Sequence, residues 1–275
     1  SQALQGSGVW SGTLDRDKQY DLTDDDGVRF VDALEEIGYR GEEPCQPAEP
    51  YEAFLELHIE QGTYLDSSDN DVGVVNGIVG ISRGSLTFHG EADHAGPTPM
   101  HHRRDALVPA ADVVTYLRRL AGTIGERTVA TAGRLDVNRN VGNIIPDEVT
   151  MTWDIRDPSD NIVEEGFERI LAEAECAARR EGVEWAYDEH VRLDSVSFAD
   201  KCTDAIAEAA TDLGYESMSL TGGAGHDASF IASVCPTAMV FAVSEDGKSH
   251  VESEYTSWED CYRAASTLAN AAVSL

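Results

Sequence analysis

Residues 149–180 read VTMTWDIRDPSDNIVEEGFERILAEAECAARR, and a change of period within them decides the fold class. Val149, Met151, Trp153 and Ile155 alternate with Thr150, Thr152, Asp154 and Arg156, the period-two pattern of a strand with one apolar and one polar face. From Asn161 to Arg180 the period lengthens, with Ile162, Phe167, Ile170, Leu171 and Ala174 as the apolar side of a helix. Working outward, Gly80–Glu91 sets Leu86 and Phe88 against Thr87 and His89 and predicts another strand. Asp105–Leu120 predicts a helix with Leu107, Ala110, Val114, Leu117 and Ala121 on one stripe, opened by the Gly/Pro turn 96–99. Thr128–Asn138 and Val183–Leu193 predict two further strands. The order over 80–193 is thus βαββαβ, the split ferredoxin-like unit, in a domain-sized piece of about 115 residues.

The flanks obey another plan. Phe54–Gly62 (FLELHIEQG) alternates Leu55, Leu57 and Ile59 with Glu56, His58 and Glu60, a strand with a polar face. Residues 199–213 predict a helix ending at Gly214, and Pro236–Ser244 (PTAMVFAVS) an apolar strand of the kind buried in a parallel sheet. Thr256–Glu259 (TSWE) reads as a capping box opening an Ala-rich final helix. Strands alternating with helices imply a parallel α/β layer. The expected organisation is an α/β domain in two pieces, 1–79 and 194–275, with the α+β domain 80–193 inserted between them.

Composition is that of a soluble globular protein, and no apolar run reaches the roughly 20 residues of a membrane span. The net charge of −31 excludes a nucleic-acid binder, whose backbone affinity needs clustered cations. The acidic residues are dispersed along the chain, and Lys is almost absent (Lys18, Lys201 and Lys248 against 17 Arg), which points to a halophile's surface. Five well-separated cysteines without a C-x-x-C spacing read as free thiols in a reducing cytoplasm.

Several residues could carry chemistry, each with a plainer reading. His58 on a polar strand face is either a metal ligand or a hydrogen-bonded structural group. His250 comes after the buried strand, where open α/β sheets bind ligands, but is otherwise an exposed loop residue. The run 221–228 (TGGAGHDA) offers backbone N–H groups to an anion or oxyanion, or is a tight turn. Arg156 has the fork that suits a substrate carboxylate, or makes a surface ion pair. His94 lies in an irregular segment, DHAGPTPM (93–100), stiffened by two prolines, where nothing local explains a histidine.

Taken together as strings, ELHIEQG (56–62), HAGPTPMHHRRDAL (94–107), GNIIP (142–146), DIR (154–156), GAGHDA (223–228) and SHVESE (249–254) resemble the hydantoinase/carbamoylase family of metal-dependent amidohydrolases, in the same order and at similar spacing. The resemblance covers nearly the whole chain. It implies a dinuclear metallohydrolase α/β domain interrupted by a ferredoxin-like lid, 80–193, through which the protein forms a homodimer. It implies that His58 and His250 are ligands, one to each of two divalent cations such as zinc or manganese. Gln61, Asn143 and Arg156 would be substrate contacts, the last two holding a carboxylate. His94 would polarise the reacting carbonyl, on the neighbouring subunit's site in such dimers. Gly223 and Ala224 would line the site through their backbone, with His226 and Asp227 beside it.

The family also places a His-x-Asp pair, a bridging Asp and a Glu-Glu pair upstream of these segments, and no such string occurs here. The opening SQALQGSGVWSGTL resembles the stretch just after the Glu-Glu element, so the expectation is a chain lacking roughly 130 residues of an α/β domain. The activity implied for the intact protein is hydrolysis of the carbamoyl C–N bond of N-carbamoyl-L-amino acids. Allantoate or another ureide is the alternative substrate, and a non-catalytic dimerising protein the alternative class.

Overall fold

The computed structural model describes residues 4–24, 26–47 and 51–275, and its contacts divide the chain into two units, one built from the segments up to Ile78 and from Val196 onward, the other from Val79–Ser195. The first three residues of the opening string lie outside the described residues.

The first segment carries three short helices, α1 (Gln5–Trp10), α2 (Arg16–Tyr20) and α3 (Phe30–Glu36), then strands β1 (Phe54–Ile59) and β2 (Val72–Ile78). β2 has no counterpart in the period reading, because Gly73, Asn76 and Gly77 interrupt its apolar run. Those glycines answer to packing: a Cβ on Gly73 would lie 2.9 Å from the Leu220 side chain, and one on Gly77 would strike the Val196 carbonyl.

The second unit begins with β3 (Gly80–His89), the two-residue β4 (Asp93–His94) and α4 (Leu107–Ile124). It continues through β5 (Val129–Thr131), β6 (Leu135–Val137), β7 (Ile144–Ile145), β8 (Glu148–Asp157), α5 (Asp160–Glu181) and β9 (Glu184–Leu193). The single strand expected over 128–138 is thus two, both paired to β8 and separated at Gly133. The sheet order is β9–β3–β8–β5, all antiparallel, with β6 beside β8 further along. Leu86, Phe88, Val149, Met151, Trp153 and Ile155 are fully buried under α4 and α5, so the alternation in 149–156 does mark two faces. The helix stripes are rotated by about one residue from expectation: Ala110, Val113, Leu117 and Leu120 are buried on α4, and Val163, Gly166, Ile170 and Ala174 on α5. Gly166 is needed there, since a Cβ would run into Ile155.

The chain then returns to the first unit with β10 (Val196–Ser197), α6 (Asp200–Asp212), β11 (Ser217–Gly222), α7 (Asp227–Ile231), β12 (Thr237–Ala242) and α8 (Trp258–Ser274). Every residue of β12 is buried, as its unbroken apolar run requires. The sheet is mixed rather than wholly parallel: β12 runs parallel to β1 but antiparallel to β2, while β11 runs parallel to β2. Val72, Val75, Met239, Val240 and Phe241 form its core with Ile206 of α6 and Ala264 of α8. α6 ends ahead of Gly214, which takes the left-handed φ of 76° that a helix terminator needs. α8 is capped by Ser257, whose Oγ accepts from the Asp260 N–H at 3.1 Å, one residue later than the Thr256 box expected, because the Thr256 hydroxyl is donated to the Val243 carbonyl. All five cysteines are free thiols, and among the described residues no helix is long and apolar enough to cross a membrane.

Candidate functional site

In the first unit, β1 carries His58 next to the buried β12. Its polar face is not turned to water. Glu56 accepts the Ala228 N–H at 2.8 Å and lies 3.6 Å from Nδ1 of His226, which is only 4% exposed. The His226 ring meets that of His58 edge-on, with centroids 4.5 Å apart. His58 Nδ1 is 2.8 Å from the Ile59 carbonyl, a contact that puts a proton on Nδ1 and leaves the Nε2 lone pair as the coordinating or accepting atom. Glu60 turns out to be structural: its two oxygens accept the N–H groups of Tyr64 and Leu65, each at 2.8 Å, and cap the turn after the strand.

Gln61 and His250 are brought together through Ser249. The Gln61 backbone donates to Ser244 Oγ at 2.9 Å and its carboxamide to Ser249 Oγ at 2.8 Å. Both Gln61 and His250 sit at a φ of 59°, the left-handed region that non-glycine residues enter only when neighbours hold them there. For His250 the restraint is its own N–H, donated to Glu254 at 2.6 Å. That bond and the Ser249 hydroxyl hold the Glu254 carboxyl below the usual carboxylate range. Gly223 and Ala224 form the link from β11 to His226, the N-cap of α7.

In the second unit, His94 and Asn143, far apart in sequence, are neighbours. β4 pairs with β7, setting His94 opposite Ile144, and the Ala95 N–H donates to the Asn143 carbonyl at 2.9 Å. The His94 loop is tightly held. Thr98 Oγ1 donates to the His94 carbonyl at 2.7 Å, and Arg103 Nη2 donates to the carbonyls of Ala95 at 2.6 Å and Thr98 at 3.1 Å. Nδ1 of His94 accepts the Gly96 N–H at 3.0 Å, so in the neutral ring the proton resides on Nε2. His94 therefore presents an exposed Nε2–H donor, which is what polarising a carbonyl requires.

Arg156 lies on the face of β8 opposite the one packed under α4 and α5. Its Nε and Nη2 reach Asp154 Oδ1 and Oδ2 at 2.7 and 2.9 Å, and Arg83 of β3 reaches the same carboxylate at 2.6–2.7 Å. Burial alone would raise the Asp154 carboxyl, but the bonds and charges of Arg156 and Arg83 outweigh it and hold it below its ordinary range. The sequence reading singled out neither Asp154 nor Arg83. The signal was present, since Asp-x-Arg on a strand puts both side chains on one face.

Among the described residues no group of three His, Cys, Asp or Glu side chains converges on a point where an ion could sit. A catalytic zinc takes three protein ligands and a water. His58 has the tautomer of a ligand, but the donors present fall short of a metal centre.

The profile of Peptidase family M20/M25/M40 matches residues 24–274. The chain is 39% identical over 264 residues to an N-carbamoyl-L-amino-acid amidohydrolase of Paenarthrobacter aurescens, covering 94% of this chain and 64% of that protein. It is 32% identical to the allantoate amidohydrolase of Bacillus subtilis (strain 168), covering 92% and 61%. A crystal structure of an amidase of the hydantoinase/carbamoylase family from Burkholderia vietnamiensis superposes on the whole chain and 66% of its own, with a TM-score of 0.93 and 34% identity. The chain thus spans slightly less than two thirds of the length of these relatives.

Proposed function

This chain belongs to peptidase family M20/M25/M40, in its hydantoinase/carbamoylase branch, and from that premise we propose that it forms most of a metal-dependent amidohydrolase acting on the carbamoyl C–N bond of N-carbamoyl-L-amino acids. The observation that carries the reading is the β4–β7 pairing. It brings the backbone of Asn143, which we propose as a substrate contact, beside His94, whose Nε2–H is fixed as a donor. In the proposed reaction His94 donates to the carbamoyl oxygen as negative charge develops on it. Arg156 and Asn143 hold the substrate's carboxylate, Arg156 as a charged fork. Gln61 contacts the substrate, and the backbone of Gly223 and Ala224 lines its site. Water adds across the C–N bond, and the amino acid leaves with carbon dioxide and ammonia. His58 and His250 are proposed as ligands, one to each of two divalent ions in the whole enzyme. The protein is proposed to be cytoplasmic and to dimerise through the inserted lid domain 80–193.

A second reading, allantoate or a related ureide as substrate, is favoured by relatives of that name in Bacillus subtilis (strain 168) and Escherichia coli (strain K12), at 32% and 33% identity. Ammonia release from N-carbamoyl-L-amino acids and from allantoate, measured side by side, separates the two. Arg156→Ala is expected to lower kcat/KM by the roughly 2–5 kcal/mol that loss of a desolvated charge partner costs. An unchanged kcat/KM in that variant would return Arg156 to a surface ion pair.

A further inference from the structure

The peptide between Ala95 and Gly96 is held at both ends, and one of the groups that hold it is a cation. We propose that Arg103 is a positioning residue that keeps the proton of His94 on Nε2 by fixing the oxygen of that peptide, an inference that rests on the carbonyl-polarising role given to His94 above.

The loop from His94 to Thr98 belongs to no helix, and only its first residue lies in a strand, the two-residue β4. Gly96 within it has the widest backbone freedom of any residue type, so the 95–96 peptide plane would swing easily if nothing gripped it. A trans peptide is rigid, and its C=O and N–H point in opposite directions. Whatever fixes the Ala95 oxygen therefore aims the Gly96 N–H. Arg103 Nη2 donates to that oxygen at 2.6 Å, and the N–H at the other end of the plane donates to His94 Nδ1 at 3.0 Å. The guanidinium has a second anchor in the Thr98 carbonyl, reached by Nε at 3.2 Å and Nη2 at 3.1 Å. One planar fork thus spans both sides of Gly96 and Pro97. The His94 N–H is itself donated to Asp93 Oδ1 at 2.7 Å, which holds the residue from its other side.

Charge adds to this geometry. A hydrogen bond from an ionised donor is roughly twice as strong as a neutral one. A peptide polarised at its oxygen also becomes a better donor at its nitrogen, by on the order of 10–30%. The Nδ1 lone pair stays engaged, the ring proton stays on Nε2, and the donor is set before substrate arrives. Arg103 is half-buried while His101, His102 and Arg104 beside it are exposed, so it packs on the loop where its neighbours face solvent.

The test follows the ring ¹⁵N shifts of His94 in the holoenzyme, together with turnover of N-carbamoyl-L-alanine. Arg103→Met keeps the stem and removes every donor. It should move the His94 shifts toward the Nδ1–H form and lower kcat by at most about tenfold, the factor that one hydrogen bond sets, with KM within about twofold. In a His94→Ala background the same substitution should change kcat by less than about twofold, because a residue that acts through His94 is silent once His94 is gone. Arg103→Lys, which keeps the charge but lacks a fork to span both carbonyls, should move the shifts part of the way, and it serves alone if Arg103→Met does not fold. If the His94 shifts stay native in these variants, or if Arg103→Met lowers kcat equally in both backgrounds, the positioning role is overturned and the reading of His94 stands. If His94→Ala leaves kcat unchanged, the reading of His94 is overturned, and the positioning role with it.

Discussion

Replacing Gly96 with Ala tests whether the protonation pattern of His94 is built into its own loop. A Cβ at position 96 would lie 3.2 Å from His94 Cε1 and 3.3 Å from Nδ1. Unstrained carbon contacts are about 3.5–4.0 Å, so the ring must retreat by a few tenths of an ångström. The Gly96 N–H···Nδ1 bond, 3.0 Å in the native loop, then stretches beyond the roughly 2.7–3.2 Å in which such bonds are strong. The loop backbone cannot move with the ring cheaply, because Thr98 and Arg103 hold the carbonyls on either side of position 96. Losing most of one neutral hydrogen bond costs about 0.5–1.5 kcal/mol, which shifts the balance between the two neutral tautomers by roughly two- to twelvefold. The form with the proton on Nδ1, silent as an Nε2 donor, gains in proportion. The expected outcome is a kcat lowered by at most that factor, KM little altered, and ring ¹⁵N shifts of His94 that move toward the Nδ1–H form. Ring shifts and kcat both identical to those of the native protein would refute the idea that Gly96 sets the tautomer.

Two further outcomes are expected. A net −31 spread over 15628 Å² leaves one uncompensated charge per about 500 Å², roughly 22 Å from the next, and the Debye length exceeds that spacing only below a few hundredths molar salt. The melting temperature should therefore rise with KCl, most steeply between about 0.01 and 0.1 M, and a flat profile up to multimolar KCl would sink the halophile reading. Residues 80–193 expressed alone should fold, since Trp153, Phe88 and Met151 are buried within that unit, and should dimerise through the sheet edge left by β9; sedimentation showing only monomer at tens of micromolar counts against the dimer.

The elements legible in the sequence were those whose two faces differ. The alternation in 149–156 shows plainly because one side of β8 meets two helices and the other does not. β2 hid because it is buried nearly throughout and its glycines, needed where Leu220 and Val196 press close, resemble turn residues. The candidate residues were harder than the fold. A lone histidine on a strand or loop says little, and the closeness of His94 to Asn143 arises from a β-bridge between distant segments that no local spacing encodes. Resemblance to known strings singled these residues out. What it could not supply was how they are held: the Gly96 contact on His94, Ser249 under Gln61, and Asp154 behind Arg156.

The β4–β7 bridge has a consequence for how the second unit tolerates change. Everything from Ala95 to Asn143 is an excursion that leaves the bridge and comes back to it, with α4, β5 and β6 on the way. Closing a longer excursion costs little, about 0.6 kcal/mol for each doubling of its length. Extra residues spliced into the exposed turn between α4 and β5, around Glu126, would therefore be absorbed as surface ornament, while His94 and Asn143 kept their separation. Natural length variation and tolerated tag insertions in this unit should gather in that turn and be scarce in the segments immediately flanking the bridge.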